Sequence, residues 1–174
     1  VSGNISGGSR LAVIGDGKLV LRGNNTYTGS TTVRNDGELE IAGGVTGTSG
    51  ANVYVGSQAG DNATLRISGG TLNAATIYAA QGTGNDEDPT ASTGTIVQTG
   101  GVVNAYSYVV LGAGSTYDGE TLPTGVLDIS GGEFRLHANR IEVGRGTGGE
   151  GVINISGTGH LKLLNNSSVA MGFG

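Results

Sequence analysis

One decapeptide pattern, Leu65-Arg66-Ile67-Ser68-Gly69-Gly70-Thr71-Leu72-Asn73-Ala74, constrains this chain more than any other feature, because it returns with its alternation intact. It comes back as Ile96-Val97-Gln98-Thr99-Gly100-Gly101-Val102-Val103-Asn104-Ala105 and as Leu127-Asp128-Ile129-Ser130-Gly131-Gly132-Glu133-Phe134-Arg135-Leu136. A fourth version, Ile153 to Leu163, carries one extra residue at the glycine corner. Corner glycines recur after 31, 31 and 26 residues, at Gly69, Gly100, Gly131 and Gly157. Strand pairs of fixed size joined by loops of varying length are the mark of a solenoid, in which each repeat buries its apolar face only against its neighbours.

Each turn begins with a short apolar strand ending in a small residue: Val53 to Gly56, Ile77 to Ala80, Val109 to Gly112, Ile141 to Gly144 and Val169 to Gly172. Period-2 alternation stacks Val53, Ile77, Val109, Ile141 and Val169 in one inward ladder. Leu65, Ile96, Leu127 and Ile153 form a second, and Leu72, Val103, Phe134 and Leu161 a third. Three strands per coil give a roughly triangular section. The expected fold is all-β, a right-handed parallel β-helix of about six or seven coils. It is read as one domain over 1–174, with coils of one kind in 1–50 and Ile-Ser-Gly-Gly coils with variable loops in 51–174.

Composition agrees where it bears on the question. With 36 glycines and 2 prolines among 174 residues and no glycine at every third position, glycine here punctuates turns. No apolar run approaches the length of a membrane-spanning helix. A net charge of −5 without a basic cluster argues against nucleic acid, and the absence of cysteine excludes disulfides and thiolate metal sites.

Residues 1 to 50 are less regular. Ile5 to Val13 aligns with the fourth copy, Ile5 over Ile155, Leu11 over Leu161 and Val13 over Leu163, so the chain is expected to open on a second strand. The run from Gly17 to Val33 with Gly37-Glu38-Leu39, and above all Asn25-Thr26-Tyr27-Thr28-Gly29, resembles the autotransporter-associated β-strand repeat of bacterial passenger domains over about residues 5 to 41. Residues 53 to 172 resemble the looser repeats that accompany it. The resemblance implies a parallel β-helix, export, and an extracellular or cell-surface location. It supplies no catalytic residues, and no membrane-barrel segment accompanies it here.

Candidate chemistry is sparse. Asp86, Glu87, Asp88, Asp118 and Glu120 lie on neighbouring loops and offer oxygen ligands for Ca²⁺, yet they lack the order of an EF-hand or a calcium-binding nonapeptide, and a solvated acidic edge explains them as well. No confident metal or cofactor follows. Outward ladders Arg66, Val97, Asp128, Asn154 and Asn73, Asn104, Arg135, Lys162 contain no converging acid pair of the kind glycosidases use, so the chain reads as no enzyme. His137 and His160 fall at different repeat positions and read as surface residues. Tyr54 and Tyr78 share one outward position on adjacent coils and are candidates to stack and to touch a sugar, although sheet-face aromatics mostly add packing. Gln98 stands where isoleucine is the rule and needs partners at the corner.

The strands at the two ends present open edges, which template further pairing. Joined tail to head, a closing first strand and an opening second strand complete one coil. Val1, Ile5, Leu11, Val13, Val169, Met171 and Phe173 are accordingly the candidate assembly interface. The expected function is a non-catalytic extracellular structural solenoid, its partner a further copy of itself in a head-to-tail filament. The alternative is a stalk segment of a larger bacterial surface protein, with glycans or a host surface as the other possible partners.

Overall fold

A computed structural model describes residues 1–81, 91–114 and 122–173, with Phe173 described by its backbone alone. Its strands lie in two parallel sheets. The first stacks β1 (Leu11–Ile14), β3 (Thr31–Arg34), β5 (Val53–Val55), β7 (Ile77–Gln81), β9 (Val109–Ala113), β11 (Arg140–Arg145) and β14 (Ser168–Phe173) in that order. The second stacks β2 (Lys18–Leu21), β4 (Glu38–Thr46), β6 (Asn62–Ala74), β8 (Thr93–Ala105), β10 (Thr124–Leu136) and β12 (Glu150–Ile155), with β13 (His160–Leu163) beside the second half of β10. No helix occurs among the described residues. The chain passes from one sheet to the other and back, so each strand lies beside the strand one coil away.

The ladders fall where alternation puts them. Val53 pairs with Ile77, Ile77 with Val109, Val109 with Ile141 and Ile141 with Val169. Leu65, Ile96, Leu127 and Ile153 share one register, as do Leu72, Val103, Phe134 and Leu161. All are buried in one core cluster except Ile153, Leu161 and Val169, which stand on the last rungs. The ladders also extend backwards through Leu39 and Leu19, and through Thr31 to Leu11.

Two features differ from expectation. The second and third strand positions run on as a single bent strand, 13 residues long in β6, β8 and β10. The bend sits at the Gly-Gly corner, where the pairing of β10 with β8 shifts register. A first-sheet strand followed by one long bent strand occurs as β3–β4, β5–β6, β7–β8 and β9–β10, so the complete turns number about four rather than six or seven. The remaining rungs are partial. The inserted residue in Ser156-Gly157-Thr158-Gly159 splits what would be one strand into β12 and β13.

Close stacking requires the corner glycines. Gly101 and Gly132 adopt φ of 67° and 76°, and a Cβ on Gly101 would lie 2.5 Å from the Gly70 carbonyl oxygen. Glycine alone accepts both that backbone conformation and that approach.

The opening residues also sit elsewhere than the repeat alignment places them. β1 pairs with β3 in the first sheet, so Leu11 and Val13 lie beneath Thr31 and Val33 and not in the column of Leu161 and Leu163. Backbone amides of Arg22, Thr26 and Thr28 donate to the carbonyls of Val1, Ile5 and Gly7. Val1, whose ammonium also donates to the Val20 carbonyl, lies beneath the end of β2, and Ile5 to Gly7 run beneath the segment that follows it, in the third strand position.

Candidate functional site

The short coil between β1 and β3 takes 20 residues from Leu11 to Thr31, and the stretch Asn25 to Gly29 explains how so short a turn closes. Asn25 is fully buried. Its Oδ1 accepts from the Ile5 amide at 3.0 Å, while its Nδ2 donates to the Gly23 carbonyl at 2.9 Å and to Thr46 Oγ1 at 3.1 Å. One side chain thus ties three successive coils. Tyr27 is buried, which raises the pKa of its phenol, while the hydroxyl's contact with Thr31 Oγ1 at 2.6 Å pulls the other way. Gly29 passes so close to Ser9 and Arg10 that a Cβ would meet their backbone at 2.4–2.5 Å.

On the outer face of the first sheet, Tyr54 pairs with Tyr78, Tyr78 with Val110 and Val110 with Glu142. The two tyrosine rings stack, centroids 5.1 Å apart and planes 4° from parallel. Beyond them Tyr78, Tyr108, Val110, Arg140, Glu142 and Arg145 line a cleft of about 290 Å³. Arg140 lies over the Tyr108 ring at 5.9 Å and its Nε donates to Glu142 Oε1 at 2.9 Å. Burial raises the Tyr78 pKa first of all, and Tyr54 and Glu142 push the same way.

With this geometry in place, one comparison is informative. Residues 11–41 match the passenger-associated-transport-repeat family model. Together with the parallel solenoid, the match marks a repeat of the autotransporter passenger type, and β1 to β4 up to Ile41 are its strands. No curated protein and no solved structure matches the chain.

Within the passenger-type repeat and downstream of it, charges on the outer face of the second sheet are paired along the axis. Lys18 Nζ lies 3.0 Å from Glu38 Oε1 and 2.7 Å from Glu40 Oε2, and Arg66 Nε donates to Glu38 at 3.1 Å. The Lys18 ammonium holds both carboxyls below their ordinary range, helped by Arg66 at Glu38 and by the Ser68 hydroxyl at Glu40. Glu133, flanked by Arg135 and Lys162, is lowered to about 2. Arg66 and Asp128, two rungs apart in one outward ladder, go separate ways. Arg66 pairs with Glu38, and Asp128 accepts from Asn154 Nδ2 at 2.6 Å.

An amide row runs beside them: Asn104 Nδ2 donates to Asn73 Oδ1 at 3.0 Å, and Asn104 Oδ1 lies 3.1 Å from His137 Nε2. His137 also stacks on Tyr106, and His160 is exposed on β13. Gln98 is buried, and its Nε2 reaches the Gly100 and Gly101 carbonyls at 3.4 and 3.3 Å, while its Oε1 finds no partner.

Of the residues considered for assembly, Val13 is buried in the core, Ile5 and Leu11 pack partly against it, and Val1, Val169 and Met171 are exposed. The side chain of Phe173 lies outside the described residues, as do Asp86, Glu87, Asp88, Asp118 and Glu120. Sequence reasoning passed over Asn25 as a structural tie and Glu142 as a buried acid. The signal for Glu142 was present, since it is the one carboxylate in the outward row Tyr54, Tyr78, Val110, Glu142, Ala170.

Proposed function

We propose that the chain is a segment of the β-helical stalk of a bacterial passenger-type surface protein, exported and displayed outside the cell as a rigid, non-catalytic spacer. One observation carries this reading. β4, which the matched repeat enters at Glu38, pairs strand for strand with β6 of the Ile-Ser-Gly-Gly coils, so matched and unmatched coils share both sheets and one core. Backbone hydrogen bonds along the axis supply stiffness, and a shaft built this way gains length by adding coils without a new core design.

Exchange of residues 1–174 for an equal number of coils in the β-helix of an exported passenger protein tests the reading. Display at the cell surface, measured by protease shaving of intact cells, is expected to persist. Retention or degradation of the chimera inside the cell, with the parent displayed normally, would overturn it.

Polymerisation of separate copies is the finer form of the same reading. The apolar row Val169 and Met171 on β14, 40% and 78% exposed, is a surface on which a further coil fits, whether from the same chain or another. Electron microscopy across a concentration series separates the two. Fibres that lengthen with concentration support polymers, and short rods at every concentration leave the stalk segment alone.

A further inference from the structure

Beside the buried Asn25, two exposed asparagines link successive coils in a row. The Asn24 amide donates to Asn4 Oδ1 at 2.8 Å, and the Val45 amide donates in turn to Asn24 Oδ1 at 3.1 Å. Each asparagine follows a glycine, Gly3 or Gly23, and its Oδ1 takes an amide of the coil above. Asn24 is thus a complete link, held from below and holding above, whereas Asn4 engages only through its Oδ1. Backbone groups of successive residues point up and down in turn: Asn25 donates upward to the Val45 carbonyl, and Thr26 downward to the Ile5 carbonyl. The Ile5 amide points up to Asn25 Oδ1, so the neighbouring Asn4 amide faces the side away from Asn24. The glycines make a second, independent series. A Cβ on Gly44 would run into the Gly23 carbonyl oxygen, and one on Gly23 into the Gly3 carbonyl oxygen, while one on Gly3 would meet nothing within 4 Å. Glycine in this column lets the backbone of the coil below come close, and Gly3 repeats that provision on the first rung.

We propose that the edge at Gly3 and Asn4 docks a further coil of the Gly-Asn kind, joined ahead of this one in the stalk, whose asparagine gives its Oδ1 to the Asn4 amide. The proposal rests on the stalk reading above and names the partner of this face. Continuity of the Asn4–Asn24–Val45 links carries it, and Gly3 supplies the room for a backbone to approach. The far end of the chain is a poorer match. Thr71, Val102, Glu133 and His160 succeed Val45 in the same column, so its last rung offers a histidine where the links use asparagine.

Insertion of a second copy of residues 3–22 ahead of Gly3 in the whole chain tests the surface, because it sets a Gly-Asn pair 20 residues before Asn4, the spacing that separates Asn4 from Asn24. Amide exchange followed by nuclear magnetic resonance reads the outcome. The Asn4 amide is expected to exchange about tenfold more slowly in the extended chain than in the parent, and to return to the parent rate when the added asparagine is replaced by alanine. Protection within the added strands shows that the coil is folded in both forms. In the parent, Asn24→Ala should speed exchange of the Val45 amide about tenfold and leave β8 and β10 unchanged. An added coil that folds and protects Asn4 equally well with alanine would overturn the proposal, as would an added coil that stays unfolded in both forms. Protection of Asn4 that rises with concentration in the parent would make the chain's own far end the partner and overturn the choice of a Gly-Asn coil. Each of these results leaves surface display of the chimera, the test of the stalk reading, to be decided separately.

Discussion

Asn25 and Gln98 are both buried amides, and they have opposite consequences. Asn25 satisfies three backbone or hydroxyl groups in neighbouring coils, so Asn25→Ala strands the Ile5 amide and the Gly23 carbonyl together. A loss of roughly 2–3 kcal/mol is expected, read as a lower midpoint in urea with an unchanged slope. Gln98 stands in register between Ile67 and Ile129 and keeps a buried Oε1 without a partner in exchange for two long bonds. Gln98→Ile completes the ladder and should raise stability by about 1 kcal/mol; a lower midpoint would mean that the glycine carbonyls depend on the amide. The sequence announced Gln98, because a polar residue in an apolar column is visible by alignment alone. Asn25 was visible only as part of a motif, since its partners lie on coils before and after it, 20 and 21 residues away.

At the scale of the strand and its corner, packing decides what local pattern cannot. The three inward ladders were legible because apolar residues at period 2 have only one way to face a core. The opening strand was misplaced because Leu11-Ala12-Val13 alternates identically in any column, and Ser6-Gly7-Gly8 imitates the Ser-Gly-Gly corner without its packing. A Cβ on Gly7 or Gly8 would meet nothing within 4 Å, whereas one on Gly101 would meet two backbone carbonyl groups. Gly101→Ala should therefore cost more than about 2 kcal/mol, against little change for Gly50→Ala, where space is open and φ ordinary; thermal melts of the two variants make the comparison. The charged rows give the strands a pH signature. Glu38, Glu40 and Glu133 have folded pKa values below the ordinary 4.5. Their contribution is present in full above that value and is lost as pH falls through the folded values, for Glu133 down to about 2. The melting temperature should accordingly decline from about pH 4.5 toward pH 2, less steeply in Glu133→Gln and less steeply again in high salt, which screens exposed pairs.

For the molecule as a whole, a stack of coils has no centre beyond its middle rungs, and stability is distributed along the axis accordingly. Each interior coil is held by two neighbours and each end coil by one, so opening begins at the ends. Burial already traces that gradient: Ile141 is fully buried, while Val169, beside it in the same ladder, is 40% exposed. Leu127 and Phe134 are fully buried, while their neighbours Ile153 and Leu161 are only partly covered. Hydrogen exchange followed by mass spectrometry should find β8 and β10 most protected and β1, β2, β13 and β14 least. The same experiment bears on what covers the apolar row of β14. If copies stack in solution, protection of β14 should rise with protein concentration while β8 stays constant, because mass action stabilises only the rung that gains a neighbour. If the row is instead covered by later coils of a longer stalk, protection of β14 should be independent of concentration and should rise only when those coils are added to the chain. Equal protection in every strand would mean that the coils open as one unit, and would overturn the picture of a stack held together rung by rung.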